Sequence, residues 1–182
     1  IHSQETVYQV MGWREFVINL YLRQNPWQEQ KSMAADIETS LNNFRTDYID
    51  LYQVHNPSME QLDQVLERAV HWMALIEAKA AGKIGHIGLT AHSTAVFERA
   101  LELDWVETIM FPYNIVEQQG AELIRKCAEK NIGFIDMKPL AGGAIEDGTL
   151  ALRYVCSNPD VTVVIPGMAE IRELGRKYGS LL

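Results

Sequence analysis

Cysteine is scarce in this chain: Cys127 and Cys156 are the only two among 182 residues. They fit no CxxC metal or redox spacing and make no disulfide framework. Each falls in a helical pattern, which reads as two reduced, structural thiols of a cytoplasmic protein. Glycine and proline are modest, at 12 and 6, which excludes collagen and low-complexity disorder. No apolar run approaches the roughly 20 residues a membrane helix needs. Polar residues, from Asn19 and Arg23 to Asp136 and Lys138, interrupt every candidate, so no membrane partner is expected. Basic charge is short too, with 16 Lys and Arg against 24 Asp and Glu, a net charge of −8. Nucleic acid needs a basic surface and is not expected as a partner, although a local pocket for one small anion fits this balance. The opening Ile1-His2-Ser3-Gln4-Glu5 has neither Met nor a signal pattern and reads as the middle of something longer.

What is present is an ordinary globular composition, 47% apolar and 22% charged, with a regular alternation of elements. Strands are expected at Phe16–Leu22, Tyr48–Val54, Ile84–Leu89, Thr108–Phe111, Phe134–Met137 and Val161–Ile165. Helices are expected between them. One follows Ser32, with Met33, Ile37, Leu41 and Phe44 on a single face. A long one carries the stripe Leu62, Leu66, Ala69, Met73, Ile76 and Ala80 and ends at Gly82. Others run over Ser93–Leu103, Ala121–Lys130, Thr149–Ser157 and Glu170–Tyr178, and Glu5–Met11 reads as a helix at the front. Six strands alternating with helices imply right-handed βαβ units and a parallel sheet. No GxGxxG or Walker pattern follows the first strand, so an α/β barrel is favoured over an open doubly wound sheet.

In either architecture the ligand lies at the C-terminal ends of the strands. Those ends carry His55 and Asn56, Thr90-Ala91-His92, Tyr113 and Asn114, Lys138, and Gly167-Met168. His55 either faces a ligand, as a hydrogen-bond donor or proton carrier, or holds the loop that follows it. Lys138 either pairs with a phosphate or carboxylate, or with an acid such as Asp136 or Asp50. Asp50 and Asp136 lie inside strands, where a carboxylate must be paired or hydrogen-bonded. His71 has no second ligand at i+3 or i+4, so no metal site is expected.

Several segments carry a family resemblance. Asp47-Tyr48-Ile49-Asp50-Leu51-Tyr52-Gln53-Val54-His55-Asn56-Pro57 resembles the aldo-keto reductase signature around its active-site histidine. Gly82-Lys83-Ile84-Gly85-His86-Ile87-Gly88-Leu89-Thr90 is similar to the family's GKIRxIGxS segment, and Phe111-Pro112-Tyr113-Asn114 to its EYN segment. Met137-Lys138-Pro139-Leu140-Ala141-Gly142-Gly143 resembles its SPLAGG loop, and Val163 to Met168 its VIPG segment. The last two are most similar to members that also carry a C-terminal iron–sulfur segment. This chain stops before any such cysteine cluster, so no iron–sulfur cluster is expected.

The resemblance implies reversible NADP(H)- or NAD(H)-dependent reduction of an aldehyde or ketone in a (β/α)₈ barrel. It implies that His55 orients the substrate carbonyl and that Thr90 binds the nicotinamide carboxamide. Met137 falls where the family often stacks an aromatic on the nicotinamide. Lys138, Pro139, Leu140 and Gly142 would line the pyrophosphate loop, and Gly167, Met168 and Arg172 would face the adenosine phosphate. The family's catalytic aspartate and tyrosine belong to two barrel units that would precede Phe16. Tyr21 stands at the catalytic-lysine position, and Ala91 replaces an asparagine. A (β/α)₈ barrel usually takes about 250 residues. The expectation is therefore one incomplete barrel domain over 1–182, with about six βα units, the first two missing, and most catalytic groups absent. Two functions follow: a reductase of small-molecule carbonyl substrates, or a catalytically degenerate barrel serving as a cofactor-binding or protein-interaction module. Exposed strand edges in an incomplete barrel also suggest a homo-oligomer.

Overall fold

A computed structural model describes residues 6–9, 16–21, 30–67 and 69–167. The chain divides into two compact units, 1–107 and 108–182. The first holds β1 (Thr6–Gln9), β2 (Phe16–Tyr21), α1 (Gln30–Phe44), β3 (Ile49–His55), α2 (Met59–Glu67), α3 (Ala69–Ala80), β4 (Ile84–Thr90) and α4 (Thr94–Ala100). The second holds β5 (Thr108–Pro112), α5 (Ala121–Glu129), β6 (Gly133–Met137), a 3₁₀ turn over Ala141–Gly143, α6 (Gly148–Cys156) and β7 (Val163–Ile165).

In the first unit β2, β3 and β4 are parallel, with Tyr21 opposite His55 and His55 opposite Thr90 in the ladder. In the second, β5, β6 and β7 are parallel. The βα alternation read from the sequence is therefore present, with one correction at the front. Thr6–Gln9 forms a strand, not a helix, and pairs antiparallel with β2. The run Thr-Val-Tyr has the β-branched and aromatic character of a strand. It covers the side of β2 that six parallel strands would have left as an open edge. The helix expected over Glu170–Tyr178 lies outside the described residues.

Alternation along β3 sorts its side chains onto two faces. Tyr52 and Val54 join Met33, Ile37 and Leu41 of α1, Ala74, Leu75 and Ala78 of α3, and Ile87 of β4 in one buried cluster, with Phe44 packed against it. A fully buried aliphatic side chain in such a cluster contributes about 1.5–3 kcal/mol. The stripe expected on the second half of the long helix is corrected here. Met73 and Ile76 are exposed, and Ala74, Leu75 and Ala78 face the core instead. Apolar residues occur on every side of this segment, so periodicity gives its helical character but not its phase. Arg68, between α2 and α3, lies outside the described residues.

The ends of the elements explain how each strand is delivered. Gly82 takes a left-handed φ of 72°, closing α3 with bonds from its N–H to the Lys79 carbonyl and from Lys83 N–H to the Ala78 carbonyl. The Ile49 N–H then bonds the Lys83 carbonyl and sets the β3–β4 register from the bottom. The Glu107 carboxylate ties the same end, accepting from Lys79 Nζ and from the Ile87 N–H at 3.0 Å, with His86 Nδ1 at 3.1 Å. Burial alone would raise its pKa, but these hydrogen bonds outweigh that and hold it below the usual carboxylate range.

Gly85 is required for packing. A Cβ there would overlap the Tyr48 hydroxyl and lie 2.8 Å from the Asp50 carbonyl oxygen. Tyr48 is partly exposed and can swing away, but the ladder backbone cannot. Gly85→Ala should therefore lower stability by about 1–3 kcal/mol, read as a lower urea midpoint. The loss should persist when Tyr48→Ala is added. A double variant restored to parental stability would show that the side-chain clash was the whole constraint.

Candidate functional site

In the unit 1–107, the ends of β3 and β4 hold a small hydrogen-bonded cluster. His55 ends β3 and is half-buried. The Asn56 N–H is shared between the Thr90 carbonyl at 2.9 Å and the Thr90 hydroxyl at 2.9 Å. That hydroxyl lies 3.1 Å from His55 Nδ1. Asn56 has a left-handed φ of 41°, a conformation asparagine adopts more readily than most residues. Its side-chain Oδ1 accepts the His92 N–H at 3.2 Å. Pro57 and a capping box follow: Gln61 Oε1 accepts from the Ser58 N–H at 2.8 Å, and Ser58 Oγ from the Gln61 N–H at 3.1 Å. The loop after His55 is thus short and fixed at both ends.

Burial, and next the neighbouring His92, hold the His55 pKa below the usual histidine value. The imidazole is neutral at physiological pH as a result. Beneath it, on the same face of β3, lies Gln53, fully buried, with neither amide atom hydrogen-bonded among the described residues. Thr90 is also fully buried, and its hydroxyl serves two protein partners. His92 is exposed beside the N-cap Ser93, as its cap-region reading implied.

In the unit 108–182, the end of β6 is held by two side chains. Asn114 is fully buried and all its side-chain hydrogen-bonding groups are engaged. Its Nδ2 donates to the Lys138 carbonyl at 3.0 Å and to Glu117 Oε2 at 2.7 Å. Its Oδ1 accepts the Val116 and Glu117 N–H groups. Asp136 Oδ1 accepts the Tyr113 N–H at 2.9 Å, the backbone-amide partner expected for a strand carboxylate. Its Oδ2 has no hydrogen-bond partner among the described residues. Burial pushes the Asp136 pKa up to about 8; the Tyr113 N–H opposes this and Glu117 adds to it. Tyr113 packs against Tyr154, with ring centroids 5.7 Å apart.

After β6 the chain turns through Lys138, Ala141, Gly142 and Gly143, all with positive φ. Lys138 is exposed and forms no ion pair among the described residues, so neither Asp136 nor Asp50 pairs with it. Pro139 is buried, Met137 and Leu140 are half-buried, and Gly142 is exposed. The Gly143 N–H returns to the Leu140 carbonyl and the Ala141 N–H to the Lys138 carbonyl. The N–H groups of Leu140 and Gly142 have no protein acceptor among the described residues. Open space lies where a Cβ on Gly142 or Gly143 would sit. Two backbone N–H groups and a lysine ammonium make a donor set suited to an anion. Gly167 is exposed after β7, while Met168 and Arg172 lie outside the described residues.

Residues 15–149 match the Aldo/keto reductase family. The chain belongs to that family. An uncharacterized oxidoreductase of Schizosaccharomyces pombe is 26% identical over 168 residues, covering 82% of this chain and 53% of the relative. Among solved structures, the holo form of an aldo-keto reductase from Bacillus halodurans matches with a TM-score of 0.75 at 20% identity, over 90% of this chain and 65% of that one. An aldo-keto reductase from Klebsiella pneumoniae, solved with NADP and acetate, matches with a TM-score of 0.69 at 22% identity, over 91% of this chain and 63% of that one. The chain thus spans about half the length of this curated relative, and its fold is part of a (β/α)₈ barrel.

Sequence reading named His55, Thr90 and Lys138 in this aldo/keto reductase. It gave no role to Asn56 and Asn114, which hold the backbone at two strand ends. Asn56 follows the last residue of β3 and Asn114 lies two residues past the end of β5, and those positions were the available signal. Of the cysteines, Cys127 is buried, with its thiol pushed up to about 12 by burial, while Cys156 is exposed and not a core residue. Among the described residues no helix is long and apolar enough to cross a membrane.

Two titrations follow from these environments. The His55 ring should titrate below the ordinary histidine value of about 6.5, and His92→Gln should move it back up, as followed by NMR. The depressed His55 value also means that stability falls as pH drops through 6.5 towards the folded pKa. For Asp136 the sign is opposite. Its raised pKa makes the folded state lose stability as pH rises from about 4 to about 8. Asp136→Asn should therefore raise stability by about 1–3 kcal/mol at neutral pH, a gain that fades towards pH 4. A pH-independent difference in unfolding midpoint would contradict this.

Proposed function

We propose that this chain carries the carbonyl-binding histidine and the pyrophosphate loop of an NAD(P)H-dependent reductase of small aldehydes or ketones. The observation that supports this most is the hydrogen-bonded placement of a neutral His55 at the C-terminal end of β3. Strand ends are where barrels of this class place their chemistry. The loop Lys138–Gly142 is the second support, because its donor set fits a diphosphate. The family match and the NADP bound by the Klebsiella protein point to a nicotinamide as the cofactor.

When bound, the nicotinamide supplies the hydride that the carbonyl carbon receives. This chain's residues bind and orient. His55 donates a hydrogen bond to the carbonyl oxygen, holds it in place and disperses the negative charge that develops there. By the family resemblance, Thr90 would bind the nicotinamide carboxamide, and Met137 would take the place of the aromatic that the family often stacks on that ring. Lys138 and the N–H groups of Leu140 and Gly142 take the pyrophosphate, Pro139 stiffens that loop, and Gly167, Met168 and Arg172 complete the adenosine end. The single barrel domain over 1–182 is part of the same proposal.

Titration with NADPH, followed by fluorescence, tests the binding half, and reduction of a generic aldehyde tests the chemistry. Saturable binding is expected, weakened roughly tenfold by Lys138→Ala, since a charge-assisted bond contributes about 1.5 kcal/mol. His55→Ala should abolish turnover and leave binding in place. No binding at all rejects the reading. Binding without turnover favours instead a barrel that keeps a cofactor groove and has lost its catalysis.

A further inference from the structure

We infer that Thr90 is a positioning residue that locks His55 in the tautomer carrying its proton on Nε2. The argument is a count of protons and lone pairs. A threonine hydroxyl has one proton to donate and two lone pairs. One lone pair of the Thr90 oxygen takes the Asn56 N–H at 2.9 Å. The hydroxyl proton then needs an acceptor, because Thr90 is fully buried and water does not reach it. Among the described residues, its one partner besides the Asn56 N–H is His55 Nδ1, at 3.1 Å.

Two assignments of that contact are conceivable. If Nδ1 carried the ring proton and donated to Thr90, the buried hydroxyl proton would have no acceptor, a state native structures avoid. If the hydroxyl donates to Nδ1, both the Thr90 hydroxyl and Nδ1 are satisfied. Nδ1 is then an acceptor, and the neutral ring carries its proton on Nε2. A ring held this way resists protonation, the same direction in which burial and His92 push it.

The chemical consequence rests on the reductase reading. Facing a carbonyl oxygen, the ring presents an N–H and not a lone pair. His55 is then a hydrogen-bond donor fixed before substrate arrives and not a general base. Thr90 sets this at a distance, from the next strand, by way of Nδ1.

The test reads the ring directly. Nitrogen-15 NMR of the histidine side chains in the full chain, at alkaline pH where the imidazole is neutral, distinguishes protonated from unprotonated ring nitrogens. His55→Gln assigns the signals. In the parent, Nε2 should be protonated and Nδ1 not. Thr90→Ser keeps the hydroxyl and should preserve this pattern. Thr90→Val keeps the shape and loses the hydroxyl, and should lower the ratio of Nε2–H to Nδ1–H about fivefold, the worth of one hydrogen bond. A proton on Nδ1 in the parent, or an unchanged ratio in Thr90→Val, overturns the inference. If Thr90→Val does not fold, the parent and Thr90→Ser still decide it, since Nδ1–H in either would be contrary. Cofactor binding and turnover are not read in this experiment, so it can fail while the reductase reading stands, and the reverse.

Discussion

At the ends of β3 and β4 one backbone N–H, that of Asn56, reaches both oxygens of Thr90. The bond extends the parallel ladder by one rung beyond the pairing of His55 with Thr90. It fixes where β3 stops, and so which face its last side chain occupies. A slip of one residue would carry His55 to the helix-facing side, among Tyr52 and Val54, and bring Val54 to the mouth. The buried cluster under α1 and α3 opposes that slip from one side, because it would take Tyr52 and Val54 out of their packing. The Asn56–Thr90 bond opposes it from the other. Core packing and site geometry in this unit are therefore one constraint seen on two faces of a sheet.

The unit 108–182 uses an asparagine to comparable effect. Asn114 meets the Lys138 carbonyl and supports a turn in which Lys138 and Ala141 both have left-handed φ. Such conformations cost non-glycine residues roughly 1–3 kcal/mol each, and fixed hydrogen bonds offset that cost. The result is a loop whose Leu140 and Gly142 N–H groups meet no protein acceptor among the described residues. Strain at these positions and unused donors have the same origin. The chain bends away from regular structure, and the amides it turns outward serve neither strand nor helix.

Most of the strand and helix positions were legible because burial leaves a period in the sequence. The spacing of Met33, Ile37 and Leu41 gives a helical face, and the run Tyr48–Val54 a buried strand. Where the pattern carries less information, it misled. Thr6–Gln9 is too short for its period to outvote a helical reading, and its partner strand decides. The second half of the long helix has apolar residues on every side, so its inward face could not be chosen without α1 in place. At the site, His55 and Lys138 announce themselves by type and by position at strand ends. The sharing of one N–H between two Thr90 oxygens, and the complete use of Asn114, depend on register and backbone angles that no residue type encodes. The burial of the Gln53 amide, with no hydrogen-bond partner among the described residues, is likewise invisible in the sequence.

The capping box of Ser58 and Gln61 bears on how such a site diversifies. It begins α2 only three residues after His55, with Asn56 pinned on one side and Pro57 buried between. An inserted residue would break either the cap or the Asn56 bridge. The connection nearest the candidate reacting group therefore has little room to grow. New substrate preferences in such a barrel would have to arise from loops at other strand ends. The region around His55 is thereby insulated from the variation that tailors its surroundings.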